Sequence, residues 1–312
     1  MKDMDRPIFI VGSARSGTTL LQRMMRSHSR ISSPTGESHF FIPLYKNRES
    51  YGDLSNVENV KHILEEMRRI NREYVEEDLK GIDFNTDTLA QQLVTEKKAS
   101  IIEIISSLME KNAIGDGKER WLEKTPYYVL NIKTILEMFP DAQFINIIRD
   151  GRDCALSMLE RKKDLKIFNI YHAANLWKQY VETGQTAKKY LGNEHYFEIR
   201  YEDLINDPDK TLRGVCLFIN EDFEQSMVDF EKSKDPNSKT PMLGKSIQKE
   251  NSEKWRHRMS NRNIQLFESI AGDTLKHNNY PVLSKCKPLP KLVECCYEIH
   301  KRLSRWYYKK IL

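Results

Sequence analysis

Ile8-Phe9-Ile10-Val11-Gly12-Ser13-Ala14-Arg15-Ser16-Gly17-Thr18-Thr19-Leu20-Leu21 carries three signals in one short run. Four apolar residues behind Pro7 predict a buried strand, Gly12 and Gly17 bracket a loop, and Thr18 to Met25 shows apolar residues at helical spacing. Strand, glycine loop and helix in this order aim backbone amides at one point at a helix N-terminus, where an anionic oxygen cluster can sit. The spacing fits G-x-x-x-x-G-[KST]-[ST]. A tight turn that merely needs positive φ at its glycines is the blander reading, and it leaves the Arg, the paired Thr and the helix unexplained. A nucleoside triphosphatase places Lys directly after the second glycine to reach the β- and γ-phosphates. Here that position is Thr18, and the cation is Arg15, inside the loop.

Working outward, Phe144-Ile145-Asn146-Ile147-Ile148 predicts a second buried strand, ended by Arg149-Asp150-Gly151 and followed by a helix over Asp153 to Arg161. Arg149 at the strand end and Ser157 in the helix stand eight residues apart, so both can face one ligand. A guanidinium fork binds two phosphate oxygens at once, and a helix N-terminus adds a partial positive field. The alternative is that Arg149 and Asp150 form a surface ion pair. A helix through Asn175 to Tyr190, a strand over His195 to Ile199 and a helix over Pro208 to Phe218 continue the alternation. That pattern predicts an α/β fold: a P-loop-type parallel sheet flanked by helices.

The helical region from Val57 to Asn112, broken near Lys80-Gly81 and Asn85-Thr86 with Asp87 as the next cap, reads as an insertion over the core. One domain over residues 1–312 is expected, with a helical insertion at 57–112 and a C-terminal helical tail at 284–312. With 39% hydrophobic and 30% charged residues the composition is that of an ordinary globular protein. The apolar runs are strand-sized, and the residues before Pro7 carry acids rather than a secretory leader, so a cytoplasmic location is expected.

The five cysteines, Cys154, Cys216, Cys286, Cys295 and Cys296, lack zinc-type spacing and read as reduced thiols; of the vicinal pair, one buried and one exposed is the expectation. A net charge of +5 with scattered cations does not signal nucleic acid. The one concentration, Lys301 to Lys310, mixes basic and aromatic residues. It fits either weak contact with an anionic membrane surface or a solvated terminal helix.

The Arg-Ser-Gly-Thr-Thr-Leu run resembles the 5′-phosphosulfate loop of the sulfotransferase superfamily, in the form found in tyrosylprotein sulfotransferases and bacterial relatives. The resemblance implies transfer of a sulfuryl group from 3′-phosphoadenosine 5′-phosphosulfate (PAPS) to an acceptor hydroxyl on a carbohydrate, a peptide tyrosine or a small molecule, with no metal required. It implies that Arg15, Ser16, Gly17, Thr18 and Thr19 hold the 5′-phosphate and the sulfuryl group, and that Arg149 and Ser157 bind the 3′-phosphate. Arg161 is implied as a further nucleotide contact. Tyr201, in Arg200-Tyr201-Glu202-Asp203-Leu204, resembles the family's nucleotide-facing Tyr. Lys254-Trp255, after a lysine-rich and flexible stretch from Ser233 to Glu253, resembles the Lys-Trp that closes over the donor.

Lys124, in Glu123-Lys124-Thr125-Pro126, matches the lysine placed near the bridging oxygen. Its other reading is a solvated loop cation. Glu37, in Pro34-Thr35-Gly36-Glu37-Ser38-His39-Phe40-Phe41, is taken as the general base for the acceptor, with His39 as its rival. Otherwise Glu37 is an acid at a helix N-terminus and His39 packs among the aromatics. Two other functions remain: a nucleotide-dependent kinase, against which the absent Walker lysine counts, and a non-catalytic relative, against which Glu37 and Lys124 count. No motif in residues 57–112 identifies the acceptor.

Overall fold

The computed structural model describes residues 6–230, 249–285 and 288–311. Cys286 and the lysine-rich stretch up to Gln248 lie outside the described residues. Five parallel strands, β1 (Ile8–Gly12), β2 (Ile31–Ser32), β3 (Arg120–Lys124), β4 (Gln143–Ile148) and β5 (Tyr196–Arg200), form one sheet in the order β2-β3-β1-β4-β5. Ile10 stands opposite both Lys124 and Ile145, so the C-terminal ends of the three central strands lie nearly level. The chain leaves β1 toward β2 and leaves β4 toward β5. The crevice between those two exits is therefore a topological switch point, the place where open α/β sheets bind ligands.

Among the described residues, fourteen α-helices and several single turns surround the sheet. Helix α1 (Thr18–Arg26) follows the glycine loop, and α2 (Phe41–Lys46), α3 (Val57–Ile70), α4 (Thr86–Thr95) and α5 (Ile101–Gly115) make the insertion side. Then come α6 (Ile132–Met138), α7 (Gly151–Glu160), α8 (Lys162–Leu165), α9 (Ile170–Leu191), α10 (Tyr201–Asn206) and α11 (Pro208–Ile219). Helices α12 (Trp255–Arg258), α13 (Asn261–His277) and α14 (Lys291–Ile311) end the chain. No described helix is long and apolar enough to cross a membrane.

The period-2 alternation of the strands divides the core. Phe9, Val11 and Phe144 face an aromatic cluster under the insertion helices, with Phe41, Trp121, Tyr128 and Phe139 around Phe9. Ile8, Ile10, Ile145 and Ile147 face the other way, onto Leu21, Met24, Leu204 and Val215 of α1, α10 and α11. A third cluster, with Ala155, Met158, Trp177, Trp255 and Phe267, joins α7, α9, α12 and α13 below the end of β4.

Several expectations need correction. Strand β3 escapes a hydrophobicity reading because its buried residues include Arg120, Glu123 and Lys124; β2 is only two residues long. Helix α4 is capped by Asn85, whose side chain accepts from the amides of Asp87 and Thr88, so Asp87 is a first-turn acid and not the cap. Helix α9 begins at Ile170, with Asn169 as its cap, five residues before the expected start. Strand β5 runs over Tyr196–Arg200, shifted one residue toward the C-terminus from the expected His195 to Ile199. Cys295 and Cys296 are both exposed, while Cys154 and Cys216 are buried free thiols.

The loop after β4 is held from beneath by a buried guanidinium. Arg152 is fully buried and donates to Asp150 at 3.0 and 2.7 Å and to Glu268 at 2.7 Å, with its guanidinium 3.5 Å from the Trp255 ring centroid. Glu268 in turn accepts from the amides of Leu283 and Ser284. Removing one member of such a cluster strands buried charge. Arg152→Leu is expected to lower stability by about 3–5 kcal/mol, read from urea unfolding; a loss under about 1 kcal/mol would show that the network contributes no more than a surface pair.

Candidate active site

The glycine loop has a backbone that only its own residues allow. Gly12 has φ 150°, and a Cβ there would stand 2.6 Å from the Ile147 carbonyl oxygen. Gly17 has φ 101° and lies so close to Tyr201 that a Cβ would come within 2.4 Å of the ring. Ser16 Oγ donates to the Ser13 carbonyl at 2.7 Å and closes the loop. Gly17 caps α1 without any side-chain hydrogen bond, and the first turn holds Thr18 and Thr19 and no acid. The first amides of α1 are thus left to a ligand, with the helix dipole behind them.

Cations from separate elements converge on this loop. Arg15 Nε donates to Ser157 Oγ of α7 at 2.9 Å, and Arg149 Nη1 donates to the Arg15 carbonyl at 3.2 Å. The Arg149 guanidinium lies 4.3 Å over the Tyr201 ring, its Nη2 donates to the Asn251 carbonyl, and its buried Nε has no hydrogen-bond partner among the described residues. Asn251 Nδ2 donates to the Tyr201 hydroxyl at 2.8 Å. Burial, then the charges of Arg161 and Arg149, push the Arg15 pKa down; burial, then Arg149, does the same to Lys254. Asp153, 3.9 Å from Arg149, and Asp164, 2.8 Å from Arg161, offset only part of that charge. Asp150 is engaged with Arg152, so the Arg149–Asp150 surface pair does not form.

A second group lies at the end of β3. Lys124 Nζ, on a side chain 3% exposed, donates to Glu37 Oε1 at 2.9 Å, and His39 Nε2 is 3.2 Å from Glu37 Oε2. Lys124 is therefore not a solvated loop cation. Glu37 precedes α2 in non-helical chain, so it is not a helix N-terminal acid, and His39 is half exposed rather than packed. The segment is pinned on both sides: Asn71 Nδ2 donates to the Glu37 carbonyl at 2.7 Å, and the Ser38 amide donates to buried Glu123 at 3.1 Å.

The structure thus gathers Arg15, Ser16, Gly17, Thr18, Thr19, Arg149, Ser157, Arg161, Tyr201 and Lys254 around the crevice, and Glu37, His39 and Lys124 beside β3. Sequence reasoning missed Asn251, Asn71 and Glu123. The first two have no motif, whereas Glu123 stands beside Lys124 in a run whose burial alone shows its role.

A parallel sheet with an anion-binding glycine loop at its switch point defines a phosphate- or sulfate-handling α/β protein. Residues 7–225 match the Sulfotransferase family, and the chain belongs to it. Protein-tyrosine sulfotransferase 1 of Danio rerio is 27% identical over 222 residues, 70% of this chain and 54% of the relative. The omega-hydroxy-beta-dihydromenaquinone-9 sulfotransferase of Mycobacterium tuberculosis is 24% identical over 243 residues, 67% of this chain and 61% of that protein. The chain spans about half the length of the protein-tyrosine relatives it matches. Among solved structures, the sulfotransferase domain of the Synechococcus PCC 7002 olefin synthase covers 86% of this chain and 95% of its own, with TM-score 0.58 and 22% identity. The sulfotransferase domain from the curacin biosynthetic pathway has the same score and identity and covers 90% and 99%. These likenesses show the fold.

Burial alone would raise the Glu37 pKa, but the Lys124 charge and hydrogen bonds from His39 and Lys124 outweigh it and hold the carboxyl at about 2. A carboxylate with a depressed folded-state pKa adds stability that is complete above about pH 4.5 and is lost as pH falls toward 2. Carbon-13 NMR of the Glu37 carboxyl should therefore show no titration between pH 7 and 4. Lys124→Met should bring its midpoint to the ordinary carboxylate range or above, because burial is then less opposed; an unmoved midpoint would refute the coupling.

Proposed function

We propose that this chain is a sulfotransferase that takes a sulfuryl group from PAPS and passes it to an acceptor hydroxyl. The observation that carries this reading is the crowd of Arg15, Arg149, Arg161 and Lys254 around an uncapped helix start. Like charges at such spacing repel one another unless a multiply charged anion joins them, and a donor with phosphates at both ends of its ribose supplies two. The unpartnered Arg149 Nε fits the same need. The amides and hydroxyls of Ser16 to Thr19 would hold the 5′ side, with Arg149 and Ser157 on the 3′-phosphate. Tyr201 would shape the crevice wall, and Lys254 would close it.

In the transfer, a bond forms from acceptor oxygen to sulfur while the bond from sulfur to the bridging phosphate oxygen breaks, leaving adenosine 3′,5′-bisphosphate. Glu37 would take the acceptor proton, and Lys124 and Arg15 would meet the charge gathering on the leaving phosphate. Single-domain organisation over residues 1–312, with the 57–112 helices framing the acceptor site, belongs to the same reading. The relatives named above are sulfotransferases of protein tyrosine and of a hydroxylated menaquinone. A phenolic or an alkyl hydroxyl is accordingly the first acceptor to test.

Calorimetry with adenosine 3′,5′-bisphosphate, without magnesium, should show binding. Arg149→Ala should weaken it by about 1.5–3 kcal/mol, and Ser157→Ala by less. A site that instead prefers ATP with magnesium would make the chain a phosphoryl-transfer enzyme. Glu37→Gln should keep nucleotide affinity and lower single-turnover sulfuryl transfer by about 10² to 10⁴. If His39→Ala abolished transfer while Glu37→Gln remained active, His39 would be the base.

A further inference from the structure

Asn251 reaches the donor side of the crevice through both its backbone and its side chain. Its carbonyl accepts from Arg149 Nη2, and its Nδ2 donates to the Tyr201 hydroxyl at 2.8 Å. The residue ends a single turn, Lys249–Asn251, and the chain that follows is latched to α7. There the Trp255 amide donates to Asp153 Oδ1 at 2.9 Å, the Trp255 ring covers the Arg152 guanidinium, and Arg258 Nη2 donates to Glu160 Oε1 at 2.7 Å. Asn251 is thus brought to Tyr201 by a segment with its own anchors. The Tyr201 ring is fixed as well, lying against Gly17 at the start of α1 with the Arg149 guanidinium 4.3 Å from its centroid.

The polarity of the Asn251 bond decides what Tyr201 can offer. An amide NH2 only donates, so the phenolic oxygen accepts from Asn251 and its own proton points elsewhere. Conjugation keeps that proton near the ring plane, on the side turned away from Nδ2. Among the described residues no group accepts it, and Tyr201 is buried, with 4% of its surface exposed. A buried donor left unmade is costly, and a ligand in the crevice removes that cost. We infer that Asn251 is a positioning residue for the nucleotide donor: it holds the Tyr201 hydroxyl with its proton turned into the crevice, toward a lone pair on the donor's base or phosphate. The inference rests on the donor reading above. Arg149 keeps its bond when the Asn251 side chain is removed, because that bond goes to the backbone carbonyl, so the two contacts are separable by mutation.

Calorimetry with adenosine 3′,5′-bisphosphate on the wild type, Asn251→Ala, Tyr201→Phe and the double variant tests this. Tyr201→Phe should weaken binding about fivefold, the worth of one ordinary hydrogen bond, and Asn251→Ala about threefold to fivefold. The double variant should lose no more than Tyr201→Phe alone, since Asn251 acts through the hydroxyl. Unchanged binding in Asn251→Ala, or losses that multiply in the double variant as they do for a residue that only braces its own segment, would overturn the inference. Asn251→Asp is the second arm, because a carboxylate only accepts and draws the Tyr201 proton to itself. It should bind at least as weakly as Asn251→Ala; wild-type affinity there would show that Tyr201 donates to residue 251, and the proposal would fall. Repeating the cycle with an abasic ribose 3,5-bisphosphate locates the lone pair: coupling that persists places it on a phosphate, and coupling that vanishes places it on the base. If the wild type binds no bisphosphate, the donor reading fails and takes this inference with it, whereas tight wild-type binding with independent losses removes this inference alone.

Discussion

The site depends on holding cations together that would otherwise move apart. Arg15, Arg149, Arg161 and Lys254 come from separate segments, and the Arg15 pKa is lowered by burial first and then by the charges of Arg161 and Arg149. The fold opposes their repulsion with hydrogen bonds that leave each guanidinium little freedom. Arg149 is stacked on Tyr201 and tied to the Arg15 and Asn251 carbonyls, while Arg15 is tied to Ser157. Underneath, the loop is held by Trp177, whose indole donates to the Arg149 carbonyl at 3.0 Å, and by the buried Arg152 ion cluster that fixes Asp150. An anion entering the crevice then gains attraction without having to gather the cations itself, which is what preorganisation means in energetic terms.

The Glu37–Lys124 pair sets a second constraint. A carboxylate held at about 2 is a poor proton acceptor at neutral pH, since general base catalysis works best with a pKa near the operating pH. Lys124 is the largest of the influences that hold it down, so in the proposed reaction Glu37 would act as a base once Lys124 faces another anion. In the proposed reaction that anion is the donor's leaving phosphate. On that proposal donor binding and base activation would share one ammonium group. His39, on the other Glu37 oxygen, is suited to steady the carboxylate rather than to replace it.

What the sequence could convey follows from how each part is encoded. The glycine loop and Arg149–Ser157 were legible because both lie in continuous segments, where strand, turn and helix signals repeat at fixed spacing. The parallel sheet was legible through β1 and β4, whose residues are almost all apolar. Strand β3 was not, because Arg120, Glu123 and Lys124 are buried through partners that exist only once the chain has folded: the Ile219 carbonyl and Glu221 for Arg120, Ser38 and Thr125 for Glu123, Glu37 for Lys124. Asn251 is of the same kind, since its value to the site comes from Tyr201 and Arg149, which are fifty or more residues away.

The two halves of the site are also anchored differently. The cationic side is built from loops that leave β1, β4 and β5, of which β1 and β4 are buried on both faces. Glu37 is hung between the core and the insertion. Its backbone carbonyl accepts from Asn71 at the end of α3, and the next amide donates to Glu123 of β3. Burial drives the Glu123 carboxyl upward in pKa while bonds from Thr125 and Ser38 oppose it, so the group has no cheap alternative to holding Ser38. Asn71 thus ties this segment to the end of α3, while Glu123 ties it to β3 and keeps it against Lys124. Arg15, Arg149 and Ser157 are instead fixed by one another, by Tyr201 and by Asn251, so the two groups are positioned by separate parts of the chain.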